Sequence, residues 1–133
     1  MTKKDLSQCY YLRREIEHDE ERLARLRAEA LHPPTPVLSD EPPGPHNGES
    51  RTEKLVLEIL ALEGEIEEKR LNRIRELARL EQYISTIDDS LTRLVFSYRH
   101  VDGLRWTEIA RKIGGNNTPD SVRKLHDRYI EKN

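Results

Sequence analysis

Apolar positions in the first part of the chain recur at helical spacing. The main row, with one member every seven residues, is formed by Cys9, Ile16, Leu23 and Ala30. Leu12 and Leu26 each stand three residues after a member of that row. The positions between them are mostly Glu and Arg at the spacing at which helical side chains pair. This pattern predicts an N-terminal helix over residues 3–30.

A second apolar stripe predicts a long, coiled-coil-like helix over residues 51–87. Its first part comprises Leu55, Ile59, Leu62 and Ile66, and its last part comprises Leu77, Leu80, Ile84, Ile87, Leu91 and Leu94. Between these parts the stripe slips through Leu71 and Ile74, which indicates a phase shift near residues 69–70. Such a narrow stripe must be buried, either against the N-terminal helix folding back or against another chain, and both can hold. A homodimer through the long helix is therefore one expectation.

The segment between the two helices is rich in proline. Residues 31–50 hold six of the seven prolines of the chain, and proline removes a backbone donor and pushes its predecessor out of helical geometry. A linker is expected there. The predicted domains are thus residues 1–30 (N-terminal helix), 31–50 (linker), 51–88 (long helix) and 89–133 (C-terminal domain).

Three short helices are predicted in the C-terminal domain, after the capping residues at 88–90. The first covers Leu91 to Arg99, and its inward face is expected to contain Leu91, Leu94, Val95 and Tyr98. The second covers Trp106 to Ile113, with Ile109, Ala110 and Ile113 inward. After a Gly-Gly-Asn-Asn turn, the third begins with Thr118 as cap and Pro119 in the first turn, a strong start signal. The predicted fold class is all-α, with long antiparallel or coiled-coil-like helices followed by a helix-turn-helix.

Composition and charge fit this arrangement. The chain is 35% hydrophobic and 36% charged, which favours long solvated helices over a large core. Its charge is uneven, because residues 91–133 hold nine basic and five acidic side chains whereas the whole chain has a net charge of −2. A basic terminal module on an acidic chain is typical of nucleic-acid binders. No apolar run could span a membrane and no leader is recognisable, so we expect a cytoplasmic protein without a membrane partner.

The third short helix is the expected reading element, from Thr118 to Lys132. Val122, Leu125 and Tyr129 are predicted to face inward, which leaves hydroxyl and basic side chains outward, with His126 as a further candidate for that outer set. Arg can read guanine, and Lys, Ser and Thr can hold phosphates. The candidate DNA-binding residues are Thr107, Arg111, Asn117, Thr118, Ser121, Arg123, Lys124 and Arg128.

The sequence gives little indication of a metal site or of a catalytic site. The five histidines, at 18, 32, 46, 100 and 126, lack the spacing of metal ligands. Glu pairs on a solvated helix are ordinary surface, and neither a phosphate-binding loop nor a nucleophile motif is present. Cys9 stands in the apolar row and is predicted to be buried, and Trp106 is predicted to be core. We therefore expect no enzyme activity, no cofactor and no metal.

The stretch Tyr98 to Ala110, Y-R-H-V-D-G-L-R-W-T-E-I-A, resembles the entry to the helix-turn-helix of sigma-70 region 4, where (R)Y-x-x-G-x-(S/T)-x-x-E-I-A is typical. The whole layout is similar to small sigma-factor-like regulators encoded by phages and integrated elements of Firmicutes. The resemblance implies a non-catalytic transcription regulator in a bacterial host cell, with double-stranded DNA and RNA polymerase as partners and late-gene control as one role. Arg105 departs from the pattern, because Ser or Thr usually caps there, and the turn at 114–117 is longer than usual.

Two alternatives use the same elements differently. Phage terminase small subunits also join a helix-turn-helix to coiled helices, which would make the protein a DNA-packaging subunit that forms rings. A coiled-coil adaptor would use its helix-turn-helix for protein contacts alone. A Myb-like geometry over Trp106 to Tyr129 shares the DNA-binding conclusion.

Overall fold

A computed structural model describes residues 1–32 and 50–132. Within these ranges the chain is all-α, with no strand. The helices are α1 (Lys3–Leu31), α2 (Arg51–Ser85), α3 (Ser90–Phe96), α4 (Trp106–Ile113) and α5 (Pro119–Lys132), and a π-helical turn, Ser97–Val101, continues α3. The all-α prediction is confirmed. The proline-rich linker lies outside the described residues apart from its two ends.

Residues Glu15–Arg70 form one compact unit, called here the two-helix unit. In it, Ile16 and Leu23 of the α1 row and Leu62 and Ile66 of the α2 stripe are buried. Ion pairs join the two helices at several levels: Arg51 Nη2 lies 2.6 Å from Glu29, and Arg27 Nη2 lies 2.9 Å from Glu63. The later residues of α1 pair with the earlier residues of α2, so the two helices run antiparallel in this unit. Within one chain, α1 therefore covers this part of the α2 stripe.

The second unit, called here the five-helix unit, comprises Met1–Arg14 and Leu71–Asn133. The slip in the α2 stripe is visible at its start, where Leu71 and Ile74 are 49% and 64% exposed. Burial resumes at Leu80, Ile84 and Ile87. These side chains pack with buried Leu6, Cys9 and Phe96 in the first of two hydrophobic clusters. The predicted phase shift and the burial of Cys9 are both confirmed.

Asp89 caps the start of α3, so the inward face of α3 is independent of the stripe on α2. Asp89 Oδ2 accepts from the backbone N–H of Thr92 at 2.9 Å and from its hydroxyl at 2.7 Å, which satisfies an orphan donor of α3. The pKa of Asp89 is lowered by these hydrogen bonds, the hydroxyl of Thr92 contributing most. The predicted helix boundary at residues 88–90 is confirmed.

The inward face of α3 differs from the prediction. The buried positions are Thr92, Val95 and Phe96, at the i, i+3, i+4 spacing of one helix face, whereas Leu94 is 41% exposed. The prediction for Leu94 was wrong because the stripe of α2 was extended across a cap at which a new helix begins. The predicted end at Arg99 also changes: α3 widens after Phe96 into the π-helical turn, in which the Asp102 N–H donates to the Ser97 carbonyl at 3.1 Å.

Across residues 1–32 and 50–132, no helix combines the length and apolar character needed to cross a membrane.

Candidate nucleic-acid interface

The second hydrophobic cluster holds α3, α4 and α5 together. Its buried members are Val95 of α3, Ile109 and Ala110 of α4, and Val122 of α5. Ala110 is the smallest of them, as expected where two helices approach closely. Ile113 and Leu125 are partly buried against the same cluster. The predicted inward positions of α4, and those of Val122 and Leu125 on α5, are therefore confirmed.

The start of α4 is capped by a side chain from inside the helix. Glu108 Oε1 accepts from the backbone N–H of Arg105 at 3.4 Å and from its Nε–H at 3.0 Å. Arg105, at the N-cap, has only donors in its side chain, so it cannot accept from the first N–H groups of α4 as a Ser or Thr would. The pKa of Glu108 is lowered chiefly by its bond with the Arg105 side chain. The start of α4 thus keeps one half of a capping box, the bond from the N-cap N–H to Glu108.

The turn between α4 and α5 depends on two glycines with positive φ. Gly114 has φ 74° and ψ −160°, and Gly115 has φ 65°. The Gly114 combination lies in a region that is essentially restricted to glycine. The carbonyl of Gly114 accepts from Asn117 Nδ2 at 2.9 Å, so the Asn117 amide closes the turn from inside.

A reciprocal pair of hydrogen bonds starts α5. Thr118 Oγ1 accepts from the Ser121 N–H at 3.0 Å, and Ser121 Oγ accepts from the Thr118 N–H at 2.9 Å. Ser121 Oγ also donates to the Thr118 carbonyl at 3.0 Å. The predicted cap at Thr118 and the helix start at Pro119 are confirmed. Thr118 keeps its hydroxyl proton for an outside acceptor, whereas the Ser121 hydroxyl is engaged by the helix start itself.

The basic side chains of α5 divide between two flanks. Lys124 and Arg128 are exposed and share a face with Ser121 at i, i+3, i+7; these three residues are called here the outer face of α5. Arg123 lies on the other flank, beside Asp127, in the wall of a cleft. The structure therefore separates two residues, Arg123 and Lys124, that the sequence placed together in one reading set.

One acidic side chain bridges both flanks at the start of α5. Asp120 lies 2.6 Å from Arg123 Nη2 and 3.0 Å from Lys124 Nζ. These cations lower the pKa of Asp120, Arg123 contributing most and Lys124 next. Asp120 is thus ionised in ordinary buffers and partly neutralises the basic end of the helix.

The two remaining candidates lie on α4. Thr107 and Arg111 are both exposed, and their i, i+4 spacing places them on one face, away from buried Ile109 and Ala110. They are among the solvent-facing polar residues of the α4–α5 pair, as are those of the outer face of α5.

Behind α5 lies a feature that the sequence did not indicate, a buried pair of histidines. His100 and His126 are 9% and 4% exposed, and their Nε2 atoms are 2.8 Å apart. The assignment of His126 to the outer set was wrong, because its position on α5 is one turn after Val122 and on the same inward face. The two rings approach because the π-helical turn directs His100 toward α5.

The protonation of this pair follows from its neighbours. His100 hydrogen-bonds the Leu6 carbonyl, so one of its nitrogens carries a proton there. His126 Nε2 faces His100 Nε2 at 2.8 Å, and His126 Nδ1 lies 3.0 Å from Asp127 Oδ1. The single proton of a neutral His126 can serve one of these two contacts and not both. Burial is the main cause that lowers the pKa of His100, to about 3, and it also lowers that of His126 against the opposing effect of Asp127. Both rings are therefore neutral near pH 7.

Aromatic contacts continue from the histidines across the five-helix unit. The His126 ring lies 4.6 Å from the Phe96 ring and 5.1 Å from the Trp106 ring, centroid to centroid. Arg99 stacks over Trp106 at 4.4 Å and donates to the Leu104 carbonyl at 3.0 Å. Trp106 is partly buried against the second cluster. These contacts join the start of α4 to the middle of α5, and thereby fix the position of the helix that carries the candidate DNA contacts.

In the part of the chain that the structure describes, no group of three or more His, Cys, Asp or Glu side chains converges as metal ligands would. Comparisons of the chain with protein-family models, with curated proteins and with solved structures found no match.

Proposed function

We propose that the protein is a sequence-specific, non-catalytic DNA-binding transcription regulator, in which α4 and α5 form a helix-turn-helix and α5 enters the major groove. One observation carries the proposal. The outer face of α5 presents two unburied cations, Lys124 and Arg128, on a helix whose opposite face is fixed by buried Val122 and His126. A rigidly held helix with basic residues outward is the element with which helix-turn-helix proteins read DNA.

The start of α5 supports phosphate contact. The first amides of a helix attract anions, and the Thr118 hydroxyl retains a proton that a phosphate oxygen can accept. Arg111, exposed on α4, adds a cation to the neighbouring helix. The sigma-like pattern over Tyr98 to Ala110 is consistent with this use of the α4–α5 pair, and implies RNA polymerase as a second partner.

Asp120 shapes the electrostatics of the proposed interface. Its carboxylate pairs with a cation on each flank of α5, so binding of a phosphate near Lys124 must compete with it. Such competition lowers non-specific affinity, because that affinity derives from phosphate neutralisation. It leaves contacts to base edges, which give sequence preference, comparatively unaffected.

Selection from a random duplex library tests the proposal. The full chain should enrich a short common motif, and replacing Arg128 with Ala should relax the preference at one position or weaken binding by about 1–3 kcal/mol. Arg75→Ala, an exposed arginine on α2, is the matched control and should change neither. If no motif is enriched and no duplex is retained at low salt, the protein does not act through DNA.

A second copy of the chain is the partner proposed for α2. In the two-helix unit, Val56, Leu57 and Leu60 are 46%, 55% and 58% exposed, although α1 already covers the other stripe of the same helix. Val56 and Leu57 stand four and three residues before Leu60, on one side of the helix, and an exposed apolar stripe of this kind can pair with a second helix. Light scattering should give the mass of a dimer, and Leu57→Glu with Leu60→Glu should give a monomer. A ring of many subunits would instead favour a DNA-packaging role, and a stable oligomer that ignores DNA would favour an adaptor.

A further inference from the structure

A cleft in the five-helix unit lies on the flank of α5 that faces away from the outer face. Its volume is about 550 Å³, within the usual range of about 300–1,000 Å³ for small-molecule sites. Its walls come from the first turns of α1, from the segment between the π-helical turn and α4, and from the middle of α5. Three parts of the sequence therefore converge on it.

The charges in the wall are mostly positive. Lys3, Arg99, Arg105 and Arg123 line the cleft, with Asp127 as the one acid of its lining. Lys3 Nζ lies 3.2 Å from Asp127 and therefore offsets that carboxylate. Arg99 is held in place by its stacking on Trp106 and its bond to the Leu104 carbonyl, and its remaining N–H groups are available to an anion. Arg105 and Arg123 are each paired with a carboxylate, Glu108 and Asp120 respectively. An anionic ligand would therefore be held chiefly by Arg99 and would compete with Glu108 for Arg105. Guanidinium groups match phosphate in particular.

Aromatic rings form the rest of the wall. Trp106 lies on one side, and Tyr10 and Tyr11, whose rings meet edge to face at 5.3 Å, lie on α1. Tyr11 is 63% exposed, so part of its ring is accessible from solvent. Flat aromatic surfaces beside cations favour a ligand that combines a planar ring with a negative group. Both histidines of the buried pair also line the cleft.

We propose that this cleft binds a small phosphorylated molecule with a planar ring, of the nucleotide class. The ring packs against Tyr10 and Tyr11, and the phosphate is held by Arg99, which lies over Trp106, with Arg105 and Lys3 beside it. The site goes beyond DNA binding, since the outer face of α5 takes no part in it.

Trp106 makes the proposal directly measurable, because it is the only tryptophan of the chain. Its emission, excited at the red edge of the band, is followed while AMP or GMP is titrated into the full-length protein, and calorimetry provides an independent Kd. Saturable quenching with a Kd below about 1 mM is expected. Adenosine, which lacks the phosphate, and ribose 5-phosphate, which lacks the ring, should each bind at least about tenfold more weakly.

Two matched arginines on α4 separate this site from the DNA interface. Arg105→Gln should weaken AMP binding by about tenfold or more while DNA binding stays unchanged. Arg111→Gln, which changes an exposed arginine outside the cleft, should leave AMP binding unchanged. If Arg105→Gln lowers the melting temperature, Lys3→Gln replaces it as the test variant. The proposal is overturned if neither nucleotide gives a saturable signal up to about 10 mM, if Arg105→Gln and Lys3→Gln both bind AMP like the wild type, or if ribose 5-phosphate binds as tightly as AMP.

Discussion

The buried histidine pair leads us to expect that the protein loses stability as the pH is lowered. The ring of His100 is enclosed by Phe96, by His126 at 2.8 Å and by the Leu6 carbonyl, with the Arg99 guanidinium as a nearby positive charge. Of these neighbours only the carbonyl favours the imidazolium form. Burial, His126 and Arg99 all oppose it, in that order, and hold the pKa of His100 near about 3 in the folded protein against 6.5 for a free imidazole.

The size of the effect follows from this difference. Above pH 6.5, neither the folded nor the unfolded chain protonates the ring, so the native state loses nothing. Below pH 6.5, His100 is protonated in the unfolded chain but stays neutral in the folded protein. The free energy of unfolding therefore falls by about 1.36 kcal/mol per pH unit until the folded pKa is reached. Between about pH 7.5 and about pH 5 the loss from His100 is therefore about 2 kcal/mol. His126 adds to it with the same sign, because burial lowers its pKa as well.

Urea denaturation followed by circular dichroism at the two pH values measures this loss. In His100→Gln the amide keeps a donor and an acceptor but cannot titrate, so the loss should shrink by about 2 kcal/mol. His32→Gln is the control, because His32 is exposed, and its loss should equal that of the wild type. Equal losses in wild type and His100→Gln, or a wild type that gains stability on acidification, would refute the burial of the pair.

Three further predictions concern the joint between α4 and α5. Gly114→Ala should destabilise the protein by about 1–3 kcal/mol through backbone strain alone, since a Cβ there meets nothing within 4 Å. Gly64→Ala is the control, because Gly64 is a helix interior position with equally open space, and it should stabilise the protein by about 0.5–1 kcal/mol. Thermal melts of both variants would check that the two effects have opposite signs. Thr118→Ala removes the acceptor for the Ser121 N–H and should destabilise by about 1 kcal/mol, whereas Thr118→Ser should be close to neutral. Asp120→Asn frees two cations and should strengthen binding to random duplex by a few-fold at low salt, as measured by fluorescence anisotropy; weaker binding would mean that these cations do not approach phosphate.

The helix positions in the C-terminal domain could be predicted because their signals are local. Pro119 after Thr118 specifies a helix start from neighbouring residues, and the paired glycines after Ile113 specify an end. The bounds of α4 accordingly match the prediction. The long stripes of α1 and α2 are equally local, and even the slip near Leu71 was visible as a change of period.

The features that were missed depend on contacts between distant parts of the chain. Nothing in the local sequence of His100 or His126 indicates that their rings meet, because the meeting depends on a π-helical turn that no propensity pattern predicts. Leu94 was misassigned because the Asp89 cap resets the helical phase. Arg123 was grouped with Lys124 by charge and adjacency, yet successive helix residues point about 100° apart, and this angle places them on different flanks of α5.

The salt dependence of DNA binding tests the central proposal most directly. Each phosphate contact made by a lysine or arginine contributes about one unit to the slope of log K against log salt concentration. Fluorescence anisotropy on a random-sequence duplex should therefore show binding that weakens steeply with salt, and the double variant Lys124→Gln, Arg128→Gln should have a slope smaller by about two. A chain that binds no duplex at low salt, or a double variant whose slope equals that of the wild type, would contradict the assignment of the outer face of α5 as the DNA-binding surface.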